Sequence, residues 1–258
     1  MRALFLFGAT LVALSSAASG QACDEFTYTD ALTNQGWVAH SGAGNKIIMS
    51  NGGEATLDHG AGSGEDINLS FPAAGAGDTT YASMRLTVPS GNSVLPDADG
   101  LYFFHLKDAG FGFRARTGVV VQSGGGDYGL AIHADSSGLG GGATWTSDLL
   151  FDTEYFVVVN WDAATGTSKL WVDPTLESDP SISHTGTNTA TLIEAVALRQ
   201  SGDYTGLINV SQVKAGSTFN DVLGACPIVA VPALPTNIFL ALIGLVGLAG
   251  ISMIRRRS

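Results

Sequence analysis

Cysteine, positive charge and glutamate are all scarce in this chain. Two cysteines, Cys23 and Cys226, stand in 258 residues, and 12 lysines and arginines face 23 acidic residues, of which six are glutamates. Two cysteines cannot build a disulfide framework or a cysteine-rich zinc site. His40, His59, His105, His133 and His184 are scattered with no ligand spacing, so zinc is not expected. Gly-x-Ser-x-Gly and His-Glu-x-x-His are absent, and the glycine-rich runs SGGGDYG and GLGGGATW lack the lysine and following helix of a phosphate loop. Four of the 12 basic residues, Arg2 and Arg255 to Arg257, lie at the extreme ends. Setting them aside leaves 8 basic against 23 acidic residues, a net of −15. Such a surface repels nucleic acid and anionic lipid, so no nucleic-acid partner is expected.

Long apolar runs occur only at the ends. Residues 1–22 carry Arg2, an apolar stretch from Ala3 to Leu14 and the small-residue exit SSAASGQA, the layout of a secretory signal peptide. Cleavage after Ala22 would make Cys23 the first mature residue; Gly20 and Ala18 satisfy the same requirement. A lipid-anchored Cys23 is the lesser alternative, because Gly20 stands where a lipoprotein signal has a Leu-like residue. At the other end, residues 227–236 form a proline-containing linker and 237–258 an apolar segment closed by three arginines. Ile238 to Ile254 carries no charge and as a helix is about 25 Å long, nearly a bilayer core. Arg255, Arg256 and Arg257 then mark the cytoplasmic side. The chain therefore reads as exported, its precursor held in the inner membrane by the C-terminal helix.

An exported chain meets an oxidising compartment, which favours a bridge between Cys23 and Cys226 over two free thiols. Closing a loop of that length contributes on the order of 5 kcal/mol in the chain-entropy model, an upper figure. The interval 23–226 has the size of one domain and no internal repeat. Aromatic and β-branched runs, punctuated by Gly, Asp, Ser and Asn, predict strands at Thr80–Val88, Leu101–Lys107, Phe111–Gln122, Tyr128–His133, Tyr155–Trp161 and Ser168–Val172, with Thr191–Leu198 read as another. Helix signals are nearly absent. The fold class is all-β, a sandwich.

The segments DEFTYTDALTNQGWVAHSG, YASMRLTV, LYFFHLKD, FRAR, TEYFVVVNWD, SKLWVDP, AVALRQ and GLINVSQVKAGSTFNDVL, in that order, resemble the laminin G-like, concanavalin-type jelly-roll domains of secreted bacterial surface proteins. The resemblance covers nearly all of Asp24 to Leu223 and implies a jelly-roll sandwich with an adhesive or carbohydrate-associated role. The tail resembles an exosortase-type sorting signal, of which the PEP-CTERM class is the best known. Val231, Pro232 and Pro235 stand for the proline motif, followed by the apolar helix and Arg255 to Arg257, although Pro-Glu-Pro itself is missing. That resemblance implies an exosortase-like processing enzyme as partner and delivery to the cell surface or extracellular matrix; a permanent anchor is the alternative.

Within the domain, strand alternation places Tyr102, Phe104 and Leu106 on one face and Leu101, Phe103, His105 and Lys107 on the other. His105, Arg114, Arg116 and His133 are the candidate residues of a polar groove for a polysaccharide or glycan, with Trp145, Trp161 and Trp171 as candidate stacking faces. Against this stands their ordinary fate as buried groups with partners. No cofactor is required, but such jelly rolls often hold Ca²⁺, and Asp97 and Asp99 place two carboxylates in one turn. A glycan hydrolase needs two facing carboxylates. The nearest approach to the laminarinase pattern, Glu177-Ser178-Asp179, lacks its third carboxylate and lies between Pro174 and Pro180, so no enzymatic activity is expected. The reading is an adhesive or structural surface protein; the alternatives are a carbohydrate-binding module and, second, a glycan hydrolase. If the tail is a sorting signal, surface material analysed by mass spectrometry will end between Val231 and Thr236, and replacing Pro232 and Pro235 by alanine will leave uncut precursor. Tail peptides in amounts matching the domain would show an anchor.

Overall fold

The computed structural model describes residues 22–60, 62–73, 77–91, 101–135, 138–189, 191–200 and 206–226. The expected signal peptide, the expected sorting motif (Val231, Pro232, Pro235, Arg255 to Arg257) and the apolar tail thus lie outside the described residues, except that Ala22 belongs to the first strand. All the described residues belong to one compact unit that ends at Cys226.

Fifteen strands are present among the described residues: β1 (Ala22–Asp24), β2 (Val38–Ser41), β3 (Met49–Ser50), β4 (Ala55–Asp58), β5 (Asp66–Ser70), β6 (Thr79–Thr87), β7 (Leu101–Lys107), β8 (Phe113–Val120), β9 (Gly129–His133), β10 (Ala143–Thr144), β11 (Tyr155–Asp162), β12 (Thr167–Val172), β13 (Ile182–Thr185), β14 (Ala195–Leu198) and β15 (Leu207–Gly216). They form two antiparallel sheets. One runs β13-β12-β11-β6-β15-β4-β3, with β1 also paired to β15; the other runs β10-β9-β8-β7-β14-β5-β2. Among the described strands, seven of the thirteen pairings join strands that are not consecutive in sequence, as in a jelly roll. The run expected as a strand at Thr191–Leu198 is strand only from Ala195.

Period-two alternation explains the layers. In β11, Val157, Val159 and Trp161 enter the core between the sheets, while Val158 packs on the outer side. Trp161 and Trp171 are fully buried, and their indole N–H groups donate to the carbonyls of Thr191 and Glu177. Those two candidate stacking faces are structural.

Alternation fails at β7 and β8. The pairing goes from Tyr102↔Gly118 to Phe104↔Thr117, one residue more on β7, and then to Leu106↔Arg114, one residue more on β8. The first bulge lets both Phe103 and Phe104 enter the core. Tyr102 therefore sits with the outer cluster of Val120, Ala131 and Leu139, not with Phe104 and Leu106 as strict alternation would have it. The second bulge is centred on Ala115, a buried residue in the left-handed region at φ 49°.

After β15 the chain turns back through a 3-10 helix, Phe219–Val222, across the outer face of the eight-stranded sheet. A capping box between Thr218 and Asp221 starts this helix. Phe219 and Val222 pack on Tyr81, Val158 and Trp171 as a second, small core. Ser83 donates to the Val222 carbonyl at 2.8 Å, and the Lys214 ammonium bonds the carbonyls of Leu223 and Ala225. The segment ends in the disulfide Cys23–Cys226, Cα to Cα 5.7 Å. The bridge thus joins β1 to this returning segment, not to the last strand itself. Replacing both cysteines by serine will lower the melting temperature by about 5–15 °C, from a loss of about 2–5 kcal/mol. Far-UV circular dichroism will stay β-rich, and an unchanged melting point would show the bridge to be idle.

Candidate functional site

The outer face of the seven-stranded sheet gathers groups from five elements. Tyr102, His105 and Lys107 come from β7, Phe113 and Arg116 from β8, His133 from β9, His40 from β2, and Arg199 follows β14. His105 is fully buried, with its ring 4.3 Å from Phe113, 5.4 Å from Tyr102 and 5.9 Å from His40. The Arg116 guanidinium lies over Tyr102 at 5.0 Å and over Phe113 at 5.2 Å; Arg199 lies over the Tyr102 ring at 4.4 Å. Such stacking is favourable because the ring faces are electron-rich.

Of the four residues expected to line the groove, three share this surface. His133 sits opposite Arg116 in the β8–β9 ladder, and its ring lies 3.9 Å from that of His184. Arg114 is separated from them. The left-handed turn at Ala115 puts it on the other side of β8, over Trp161 at 5.3 Å, with hydrogen bonds to Phe113 O and Thr191 Oγ1 at 2.8 Å each. Tyr102, Phe113 and Arg199 complete the cluster and were not expected there, since only the bulges bring them together. Asp97 and Asp99 lie outside the described residues. Among the described residues no group of three or more His, Cys, Asp or Glu side chains could hold a metal ion.

The electrostatics are unusual for so acidic a chain. His105 is pushed well below its ordinary value, by burial first and then by His40, Arg116, Arg199 and Lys107. His133 is lowered as well, by burial and then by His184, with Arg116 adding to it against the pull of Asp135.

Along β8 this face continues past Val120 into an open cleft of about 520 Å³ between 120–123 and 144–146. Trp145 lines it together with Gln122, Ser123, Thr144 and Thr146. Of the three tryptophans expected as stacking faces, it is the one that remains partly exposed. Asp148 fastens the 123–124 side of the lining, its carboxylate accepting the N–H groups of Ser123 and Gly124. Gly126 has no room for a side chain here: a Cβ would lie 2.5 Å from the Asp148 Cβ and 2.9 Å from Leu149 O. The run SGGGDYG is therefore a fastened loop.

The opposite, eight-stranded face carries a smaller polar groove of about 290 Å³ lined by Tyr81, Asn160, Asp162, Lys169 and Glu177 among others. Glu177 accepts the Tyr81 hydroxyl at 2.5 Å. Its sequence neighbour Asp179 closes a turn, taking the N–H groups of Thr175 and Leu176 at 2.7 and 2.9 Å.

These features define an antiparallel jelly-roll sandwich with an aromatic and cationic outer face. The chain is similar to a sialidase structure at 14% identity and TM-score 0.54, over 79% of this chain but 19% of that one, so it spans about a fifth of that protein. It is similar to the CBM2 module of the evolved Dit of Lactobacillus casei BL23 phage J-1, at 14% identity and TM-score 0.51, over 77% of this chain and 95% of the module. Peanut lectin matches at 12% identity and TM-score 0.51, over 78% of this chain and 98% of the lectin. At such identities the likeness is one of fold. No family model and no curated protein matches the sequence.

The buried imidazole sets a pH dependence. With the folded-state value of His105 below the ordinary 6.5, unfolding takes up a proton as pH falls through and below that value, so stability is lost toward acid. The melting temperature will fall between pH 7.5 and 5, and His105→Gln will flatten that slope. An equal slope in the variant would assign the acid loss elsewhere.

Proposed function

We propose that this chain is an exported carbohydrate-binding protein, whose jelly roll recognises a glycan on the outer face of the seven-stranded sheet. One observation carries the reading: the open cleft beside Trp145. Trp145 packs against the inter-sheet core and stays partly exposed at the cleft, so its exposed edge offers apolar surface to a sugar ring, and the amide and hydroxyls of Gln122, Ser123, Thr144 and Thr146 offer hydrogen bonds at the rim. The fold likeness supports this reading, since two of the similar structures bear the names of a lectin and a carbohydrate-binding module. Adhesion at the cell surface or in a matrix is the physiological use such binding would have.

The same proposal takes the ends of the chain as a secretory signal and a C-terminal sorting signal read by an exosortase-like enzyme, on the apolar runs and arginines described above. It takes the domain as a binder without turnover. Glu177 and Asp179, the closest approach to a hydrolytic pair, are engaged by Tyr81 and by a turn.

The test is a glycan array probed with the purified full-length protein, followed by calorimetry on the best ligand. Trp145→Ala will weaken binding by about fivefold or more, the effect of truncating an interfacial tryptophan. Trp171→Phe, altered on the opposite side of the sandwich, will bind as the parent does. No bound glycan, or equal affinity in Trp145→Ala, would overturn the assignment of this cleft.

A further inference from the structure

Arg116 is a cation without an anion. Its residue is 7% exposed, yet it takes part in none of the ion pairs among the described residues. Of its five N–H donors, one reaches the Phe113 carbonyl at 3.4 Å, and the buried Nε has no acceptor. Withdrawing a guanidinium from water without a counter-charge is costly, and the two aromatic rings beside it recover part of that cost only. Arg199 approaches the same Tyr102 ring, and its one ion pair among the described residues is a 4.0 Å approach to Asp66. His105 adds two buried ring nitrogens without partners. In a domain of net charge −15, four of the 8 basic residues stand on the two bulged strands and just after β14: Lys107, Arg114, Arg116 and Arg199.

From this we infer that the outer face selects an anionic glycan, with the carboxylate or sulfate ester of one sugar unit seated on Arg116. The inference rests on the glycan reading above and names its ligand class. A planar fork of N–H donors matches a carboxylate or sulfate oxygen pair, and stacking on Tyr102 and Phe113 holds the fork in place before the ligand arrives. Arg116 and Val120 lie four residues apart on β8, about 13 Å, so one oligosaccharide spans the charged cluster and the Trp145 cleft. The acidic remainder of the surface repels polyanions in general, which leaves this patch to decide which are admitted.

The full-length protein is tested for binding to polygalacturonate, dextran sulfate and unmodified dextran, and its melting temperature is followed with added sodium sulfate against sodium chloride at equal ionic strength. One charged polymer is expected to bind in preference to dextran, and which one tells carboxylate from sulfate. Arg116→Met will lose at least about tenfold in that affinity, the worth of a charge-assisted hydrogen bond. The unliganded variant will melt no lower than the parent, because an uncompensated buried charge has been removed, and sulfate will raise the melting point of the parent alone. A lower melting point in Arg116→Met with equal sulfate response would make Arg116 structural and overturn the inference. Dextran binding that survives Arg116→Met would overturn it too, while leaving the glycan reading intact. Sulfate stabilisation through Arg116 with no polymer bound would keep the anion site and refute the glycan reading.

Discussion

Phe103 and Phe104 are adjacent in sequence, and adjacent side chains of a regular strand point to opposite faces. Both are nevertheless fully buried in the same core. That demand is met by an extra residue in β7, and the ladder regains its register through an extra residue in β8 at Ala115. A non-glycine residue in the left-handed region costs on the order of 1 kcal/mol or more, which the packing of two phenylalanines exceeds. The composition of the outer face follows from this pair of bulges. Tyr102 is delivered to the same side as His105, Arg116 comes to lie over it, and Arg114 is sent to the other side of its strand over Trp161.

The same geometry creates an electrostatic exception. Most of the surface is acidic and repels anions, while one face holds two guanidinium groups against a single tyrosine ring, and among the described residues the one carboxylate paired with either is Asp66, 4.0 Å from Arg199. Burial then pushes the neighbouring imidazoles of His105 and His133 below their ordinary value, because a further positive charge there would be both desolvated and repelled. The cleft lined by Trp145 adjoins this cluster along β8.

The other side of the sandwich is used differently. Its outer face is roofed by the chain's own return after β15, and Phe219, Val222 and the covalent bridge to β1 hold that roof down. Glu25 joins the same arrangement, accepting the Cys226 amide at 2.8 Å and the Gln212 amide. The two faces thus divide the work. One is closed by packing and a disulfide, and the other gathers buried cationic and aromatic side chains.

Read alone, the sequence carried the all-β class, six of the long strands to within two residues at either end, and the Cys23–Cys226 bridge. These depend on local alternation, on turn residues and on an even pair of cysteines, and such signals survive without tertiary information. His105, Arg116 and His133 were legible as candidates from their residue types. Their companions Tyr102, Phe113 and Arg199 were not, and Arg114 was grouped with residues from which the fold separates it. Strand periodicity assigns faces correctly until a bulge intervenes, and a bulge is set by whether two sheets can bury what lies between them. That volume belongs to the packed sandwich, so the faces of β7 and β8, and with them the makeup of the site, were decided only by the tertiary structure.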